Sequence, residues 1–267
     1  MENVFEADSY VAPIDYLISR YIREYDISKA NINILLYKGL ISKSKYDYFY
    51  NLPNDRRKIE VGLLQRDNDK VREGLTKGFH ELRHIFYEAN NVKDYEILSI
   101  KKDAIFLIDR VADITVFKNV VFKEKNTYTS FYRIAGIEFY YYYSAISNSE
   151  KLDTKGLGKK GELEHQEYML DFLKYIFYLA QTNNLKEAIS ELVSFSDRII
   201  KGMVDIQFYR ELNNRSLFRT KFVIQGSRMF LTGLSPKTTI RDLDCSYNIG
   251  VLQSLYKILT SLYMKTL

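Results

Sequence analysis

The chain has 267 residues, 46% apolar and 27% charged, with a formal charge of +5, which excludes disordered, collagenous and fibrous classes and leaves enough length for a full core. No stretch approaches the roughly 18 unbroken apolar residues that a helical membrane span needs, so no membrane partner is expected. The single cysteine, Cys245, excludes an intrachain disulfide, and the opening MENVFEADSYVAPID has neither a basic n-region nor an apolar h-region, so a cytoplasmic protein is expected.

In chain order, residues 13–23 (PIDYLISRYIR) read equally as helix or strand, and REYDISKANINILLYKGLI runs from a short strand, with Asp26 at its end, into an amphipathic helix. Residues 43–52 (KSKYDYFYNL) predict a helix that stops before Pro53, because the residue ahead of a proline disfavours the α region. NDRRKIEVGLL opens another, capped by Asn54 or Asp55. Between Asp69 and Asn90, Val71, Leu75, Phe79, Leu82 and Phe86 recur at helical spacing. From Glu96 the period falls to two, and residues 96–110, 113–126 and 127–143 predict an antiparallel meander. SNSEKLDTKGLGKKGE (147–162), with Gly156, Gly158 and Gly161, reads as a linker. Helices at 162–181 and 185–201 follow it, then a less regular stretch at 206–236 and a last helix from about Ser246. The mildly basic charge fits a polyanionic partner, while most of the 23 tyrosines are assigned to core or half-buried strand positions.

Two aspartates stand where chemistry is possible. Asp26 lies at a strand-to-helix junction and Asp103 in the hairpin SIKKDAIFLI, with helices between them. Two carboxylates at the ends of adjacent strands are the minimum that holds divalent cations for attack of an oxygen on a phosphate. The structural alternative makes Asp26 a helix N-cap worth about 1 kcal/mol and Asp103 a solvated strand residue between lysines. In that alternative Lys123, Lys125 and Lys155 are ordinary surface lysines.

Taken in order, these segments resemble the palm and thumb of family B DNA polymerases over roughly residues 20–215. DISKANI resembles the family's first catalytic motif, and EGLTKGFHELRHIFYEANN running into ILSIKKDAIFLI resembles the helix and strand that deliver the second. FKEKNTYTSF is similar to the lysine-tyrosine strand at the primer end, LDTKGL to the element that begins the thumb, and QTNNLKEAISELVSFSDRII to a thumb helix pair. The resemblance implies an α+β protein. Residues 1–150 would be an antiparallel-sheet palm with packed helices and reduced fingers at about 40–68, and residues 151–267 a mainly helical thumb-like lobe. It implies a template-directed nucleotidyltransferase in which Asp26 and Asp103 are catalytic and bind two Mg²⁺ (or Mn²⁺) ions. Lys101, Lys102, Lys123, Lys125, Tyr128 and Lys155 would hold a primer-template, with a steep salt dependence, and Arg56, Arg57 and Lys58 would meet the triphosphate.

The chain departs from that pattern at identifiable places. Lys101-Lys102-Asp103 stands where the family has two aspartates around a threonine, and the fingers pattern K-x-x-x-N-S-x-Y-G is replaced by the Arg56, Arg57, Lys58 cluster. Asn31 takes the place of the sugar-gating tyrosine, five positions after the first aspartate, which leaves the choice between DNA and RNA open. The chain starts just before the palm, so a second polypeptide supplying the N-terminal and exonuclease parts is expected, as in a small phage-like polymerase acting in the host cytoplasm. A second reading is a noncatalytic nucleic-acid-binding replication subunit with a degenerate palm. The third rests on His80-Glu81-Leu82-Arg83-His84, a literal H-E-x-x-H that would present His80 and His84 to zinc from one helix face with Glu81 as base, as in a metallopeptidase. His165 or Glu96 would then be needed as a third ligand.

Overall fold

The computed structural model describes residues 4–134, 137–155, 166–201, 203, 222–224, 227–229, 259–260 and 262–263. The chain is α+β, with antiparallel sheet and, among the described residues, six helices. It divides into two units, Met1–Pro13 with Arg20–Thr127, and Ile14–Ser19 with Tyr128–Leu267.

The first unit is built from β1 (Ser9–Val11), β2 (Tyr16–Ile27), β3 (Ile97–Lys101), β4 (Ala104–Ile108), β5 (Val116–Phe117) and β6 (Val120–Ile134). Its strand order is β1-β3-β4-β2-β6, with β5 on β6, and β2 and β6 each continue into the second unit. Residues 13–23, ambiguous by pattern, belong to a strand because β2 pairs antiparallel with β4 from Ile22↔Ile108 to Asp26↔Ala104. At twelve residues, β2 is longer than the short strand expected there.

Four helices accompany this sheet: α1 (Ala30–Tyr37), α2 (Lys43–Asn51), α3 (Asn54–Arg66) and α4 (Asp69–Ala89). The expectation of an amphipathic α1 is corrected. Ala30, Ile32, Asn33, Ile34 and Leu35 are all buried, because α1 lies against both α2 and α4. Its buried Asn33 is satisfied by donating to the Ser28 carbonyl at 2.5 Å and accepting from the Tyr46 hydroxyl at 2.8 Å. Ser42 caps α2 by accepting from the Lys45 amide at 3.2 Å, and the helix ends at an extended Leu52 ahead of Pro53, as its sequence requires. Pro53 itself caps α3, rather than Asn54 or Asp55, because Asn54 is already the first helical residue and its side chain accepts from Arg57.

The α4 stripe is as spaced in the sequence: Val71, Leu75, Phe79, Leu82 and Phe86 are all buried. Burial of side chains this large contributes about 1.5–3 kcal/mol each. Phe86 stacks on Phe122 of β6 with centroids 4.5 Å apart and tilts against Tyr25 of β2 at 5.5 Å, which joins helix and sheet in one core. Asn68 caps α4 through its side chain, accepting from the Val71 amide at 3.3 Å.

In the second unit, Ser130–Ile134 of β6 pair with β7 (Ile137–Ser144), and β7 pairs with β8 (Ser149–Lys155) from Glu138↔Lys155 to Ser144↔Ser149. The linker expected at 147–162 is therefore strand as far as Lys155, and its three glycines lie outside the described residues. Polar composition disguised β8, which is the last strand of the sheet and needs few apolar side chains. Tyr140 and Tyr141 are fully buried, and Tyr132 stacks on Phe177 at 3.9 Å and 6°. Helices α5 (Gln166–Gln181) and α6 (Leu185–Ile200) follow, joined through Asn183 in the left-handed region (φ 66°) and packed through Phe172 and Phe195 at 4.6 Å. In the stretch read as irregular, β9 (Phe222–Ile224) and β10 (Ser227–Met229) pair as a hairpin. The helix expected from Ser246 lies outside the described residues, apart from helical residues 259–260 and 262–263. No helix among the described residues is long and apolar enough to cross a membrane.

Candidate active site

Strand register brings the two aspartates together. Asp26 is the penultimate residue of β2 and sits opposite Ala104 of β4, so Asp103 is one step beyond the pair. The backbone locks the arrangement: the Ile27 amide donates to the Asp103 carbonyl at 3.2 Å, and the Ser28 amide to the Val121 carbonyl of β6 at 2.9 Å. Asp103 is not inside a strand, as expected, but in the two-residue turn joining β3 to β4, where Lys101 pairs with Ala104. Lys102, the other turn residue, has φ 55°, a conformation that an L side chain adopts at some cost.

Arg83 holds that turn. It is fully buried on α4, and its guanidinium donates to the Lys102 carbonyl at 2.5 Å and to the Ala7 carbonyl at 2.9 Å. Burial pulls its pKa below the ordinary arginine value. Sequence reasoning missed Arg83, which appears there only as a filler position of the H-E-x-x-H string. The signal was present, since position 83 falls four residues after Phe79, on the apolar stripe of α4.

The electrostatics follow from this proximity. Burial pushes the Asp103 carboxyl above the usual carboxylate range, and the charge of Asp26 and a hydrogen bond to the Asp26 carboxyl push it further. Lys125 of β6 donates to Asp26 Oδ2 at 2.9 Å and lies 3.9 Å from Oε1 of the fully buried Glu24. That bond to Asp26 raises the Lys125 pKa. Glu24 also accepts from Asn126 at 2.5 Å. Asp26 Oδ1 is buried with no N–H donor, so a proton on Asp103 or a cation is what can satisfy it. Both structural alternatives fail: the N-cap of α1 is Lys29, not Asp26, and Asp103 is partly buried.

Asp26 and Asp103 line a cleft of 250 Å³ together with Lys29, Asn31, Arg57 and Lys58. Arg57 is steadied by donating to Asn54 Oδ1 at 2.8 Å, and the Lys29 ammonium sits 3.0 Å over the Tyr50 ring. The expected sugar-side and triphosphate-side positions thus meet at the aspartate pair, except Arg56, which is exposed and does not line the cleft. Lys102 and Lys123 are exposed and Lys101 half-buried. In the second unit, Tyr128 is fully buried with its hydroxyl donating to Asp153 at 2.5 Å, and Lys155 is half-buried at the end of β8.

The donor set fits a divalent cation shared by the two carboxyls. An orphaned Asp26 oxygen and a neighbouring carboxyl that resists ionisation are what a bound cation would relieve. Among the described residues no group of three or more His, Cys, Asp or Glu side chains is placed to hold a metal ion. The H-E-x-x-H side chains are engaged separately: His80 with Asp8 at 2.8 Å, Glu81 with Lys38 at 2.5 Å, and His84 with Glu88 at 3.1 Å.

Fold and site together define an α+β protein with a two-carboxylate cleft walled by cationic side chains. Over residues 1–230 the chain matches the family described as the Bacteriophage PBS1 gene 130 protein, and it belongs to that family. None of the curated proteins matches it.

Proposed function

We propose that the first unit is a nucleotidyltransferase of polymerase-palm type that extends a nucleic-acid strand on a template. The observation that carries this reading is the β2–β4 register, which sets Asp26 beside Asp103 in a cleft that also holds Asn31, Arg57 and Lys58. Asp26 and Asp103 hold Mg²⁺ or Mn²⁺, which supplies charge neutralisation and activation of the attacking oxygen. Arg57 and Lys58 bind the triphosphate by charge, and Asn31 meets the sugar without the bulk of a tyrosine. The primer 3′ oxygen loses its proton to water and bonds to the α-phosphorus, while the bond to the β-phosphate breaks and pyrophosphate leaves. The second unit, with Lys155, is assigned to thumb-like strand binding and a second polypeptide to proofreading, while Tyr128, fully buried with its hydroxyl on Asp153, takes no part in it. The phage family match is consistent with action in the host cytoplasm.

The test is primer extension with Mg²⁺ or Mn²⁺, offering deoxy- and ribonucleotides separately, for wild type, Asp26→Ala and Asp103→Ala. The expected result is extension by wild type and a loss of at least about 100-fold in each variant. One observation favours a second reading, a degenerate palm that only binds: the Lys125 ammonium already lies on Asp26, and lysines stand where the family's other aspartate would be. Template binding without extension under any condition, unchanged by Lys125→Ala, selects that reading.

A further inference from the structure

A second cleft, of 680 Å³, shares Asn31 and Asp103 with the first. Its lining carries four cationic side chains, Arg72, Arg83, Lys101 and Lys102, against the carboxyls of Asp8 and Asp103. Asp8 is bonded to His80 at 2.8 Å and reaches Arg83 only at 4.0 Å, and Asp103 faces Asp26. Arg83 has the most to gain from an anion. It is fully buried, its two terminal nitrogens reach only backbone carbonyls and the His80 ring, and its Nε has no acceptor. The Asp8 carboxylate comes no closer than 4.0 Å. A buried cation without a carboxylate at hydrogen-bonding distance bears a desolvation penalty that an entering anion offsets. Lys102 is exposed, and Arg72, also exposed, is paired with Asp69 at 2.7 Å in a solvated i,i+3 contact weak enough to exchange for a ligand. The volume lies in the range of sites that enclose a small organic ligand.

We propose that this cleft is a phosphate-binding site for a nucleotidyl group, held by Arg72 and Lys102 over the buried Arg83. The chemistry is offered equally by a phosphodiester of a bound single strand and by a free nucleotide monophosphate. The site depends on these cations and not on the carboxylate pair as metal ligands, so it stands or falls apart from the transferase reading.

The test is fluorescence anisotropy of labelled dT12 on the full chain, without divalent cation, at several salt concentrations, with unlabelled dT12 and dTMP as competitors. Arg72→Glu and Lys102→Gly are compared with Lys201→Glu, an exposed lysine of the second unit. Lys102→Gly removes the charge while suiting the positive φ of the turn, and Arg83 is left intact because its loss would also loosen the turn that carries Lys102. The expected result is affinity lowered about 5- to 20-fold in both cleft variants, with the slope of log K against log salt reduced by about 0.7 for each lost phosphate contact. Lys201→Glu is expected to bind as wild type does. Displacement by dT12 alone assigns the site to a strand, and displacement by dTMP as well assigns it to a free nucleotide. Wild type binding neither probe, cleft variants that bind as wild type does, or an equal loss in Lys201→Glu would each overturn the proposal. A protein that binds through Arg72 and Lys102 yet never extends a primer refutes the transferase reading and leaves this one standing.

Discussion

Replacing Arg83 by Met tests whether a buried guanidinium fixes the turn that presents Asp103. Methionine keeps the length and most of the packing but deletes the donors to the Lys102 and Ala7 carbonyls. Hydrogen bonds from a charged group contribute about 1.5–3 kcal/mol each, so the gross loss is about 3–6 kcal/mol. Two effects reduce it. The desolvation penalty of an uncompensated buried cation disappears, and both carbonyls belong to residues with solvent access, so water can replace the lost donors. The net loss expected is about 1–2 kcal/mol, which for a chain of this size lowers the melting temperature by roughly 2–8 °C. The effect should be concentrated at the turn, because Lys102 is held at φ 55° by contacts that include this one. Amide exchange at 101–104 should quicken about 10-fold, the equivalent of about 1.4 kcal/mol of local opening, while exchange in β7 and β8 stays as in wild type. Exchange mass spectrometry with thermal melting reads both quantities. Turn amides that exchange at the wild-type rate in a destabilised variant would show that Arg83 supports α4 without fixing Asp103, and the reasoning would be refuted.

Asp103→Asn should stabilise the protein at neutral pH. The folded-state pKa of Asp103 is raised by burial and by Asp26, so the folded chain binds more protons than the unfolded one between the ordinary aspartate value of 3.8 and the raised value. Stability is therefore lost as pH rises through that window, by 1.36 kcal/mol per unit of elevation, and the penalty is absent below it. Thermal melts at pH 4 and pH 8 should show the variant gaining over wild type only at the higher pH, and wild type matching it there would contradict the assigned cause. On α4, Gly78→Ala and Gly74→Ala should differ in sign. A Cβ at Gly78 overlaps Cγ2 of the buried Ile34, a branch that cannot swing away, whereas at Gly74 it meets a terminal methyl of Leu40. Overpacking of about 1–3 kcal/mol should outweigh a helix-propensity gain of about 1 kcal/mol at position 78 only. Equal urea midpoints for the two variants would contradict this packing.

What could be read from the sequence was whatever depends on near neighbours. The α4 stripe announced its helix because five apolar residues at period 3.6 can only face one way, and Pro53 bounded the end of α2 by local stereochemistry. The aspartate pair was legible because strand ends are readable, but the register that joins them is set by β4 and the Arg83 clamp. Of the basic triplet, Arg57 and Lys58 line the cleft and Arg56 does not. Consecutive helical residues point about 100° apart, so three in a row cannot share a face. The second cleft was invisible: Asp8, Arg72, Arg83 and Lys102 come from separate segments, and only α4 supplies two of them.

The lysines around the carboxylate pair bear on how such a site could work. Lys101, Lys102 and Lys125 weaken the local negative potential, so Asp26 and Asp103 attract a divalent cation less strongly than a carboxylate cluster would. Mg²⁺ is commonly held by one or two carboxylates together with substrate phosphates, and the cleft that contains the pair also contains Arg57 and Lys58, where a triphosphate would supply the remaining oxygen ligands. On the proposed reading, cation and nucleotide therefore enter as one coupled event, and the half-exposed Lys125 leaves Asp26 only when both arrive. The elevated Asp103 pKa comes first from burial and then from the neighbouring Asp26 charge, which the Lys125 ammonium offsets only in part.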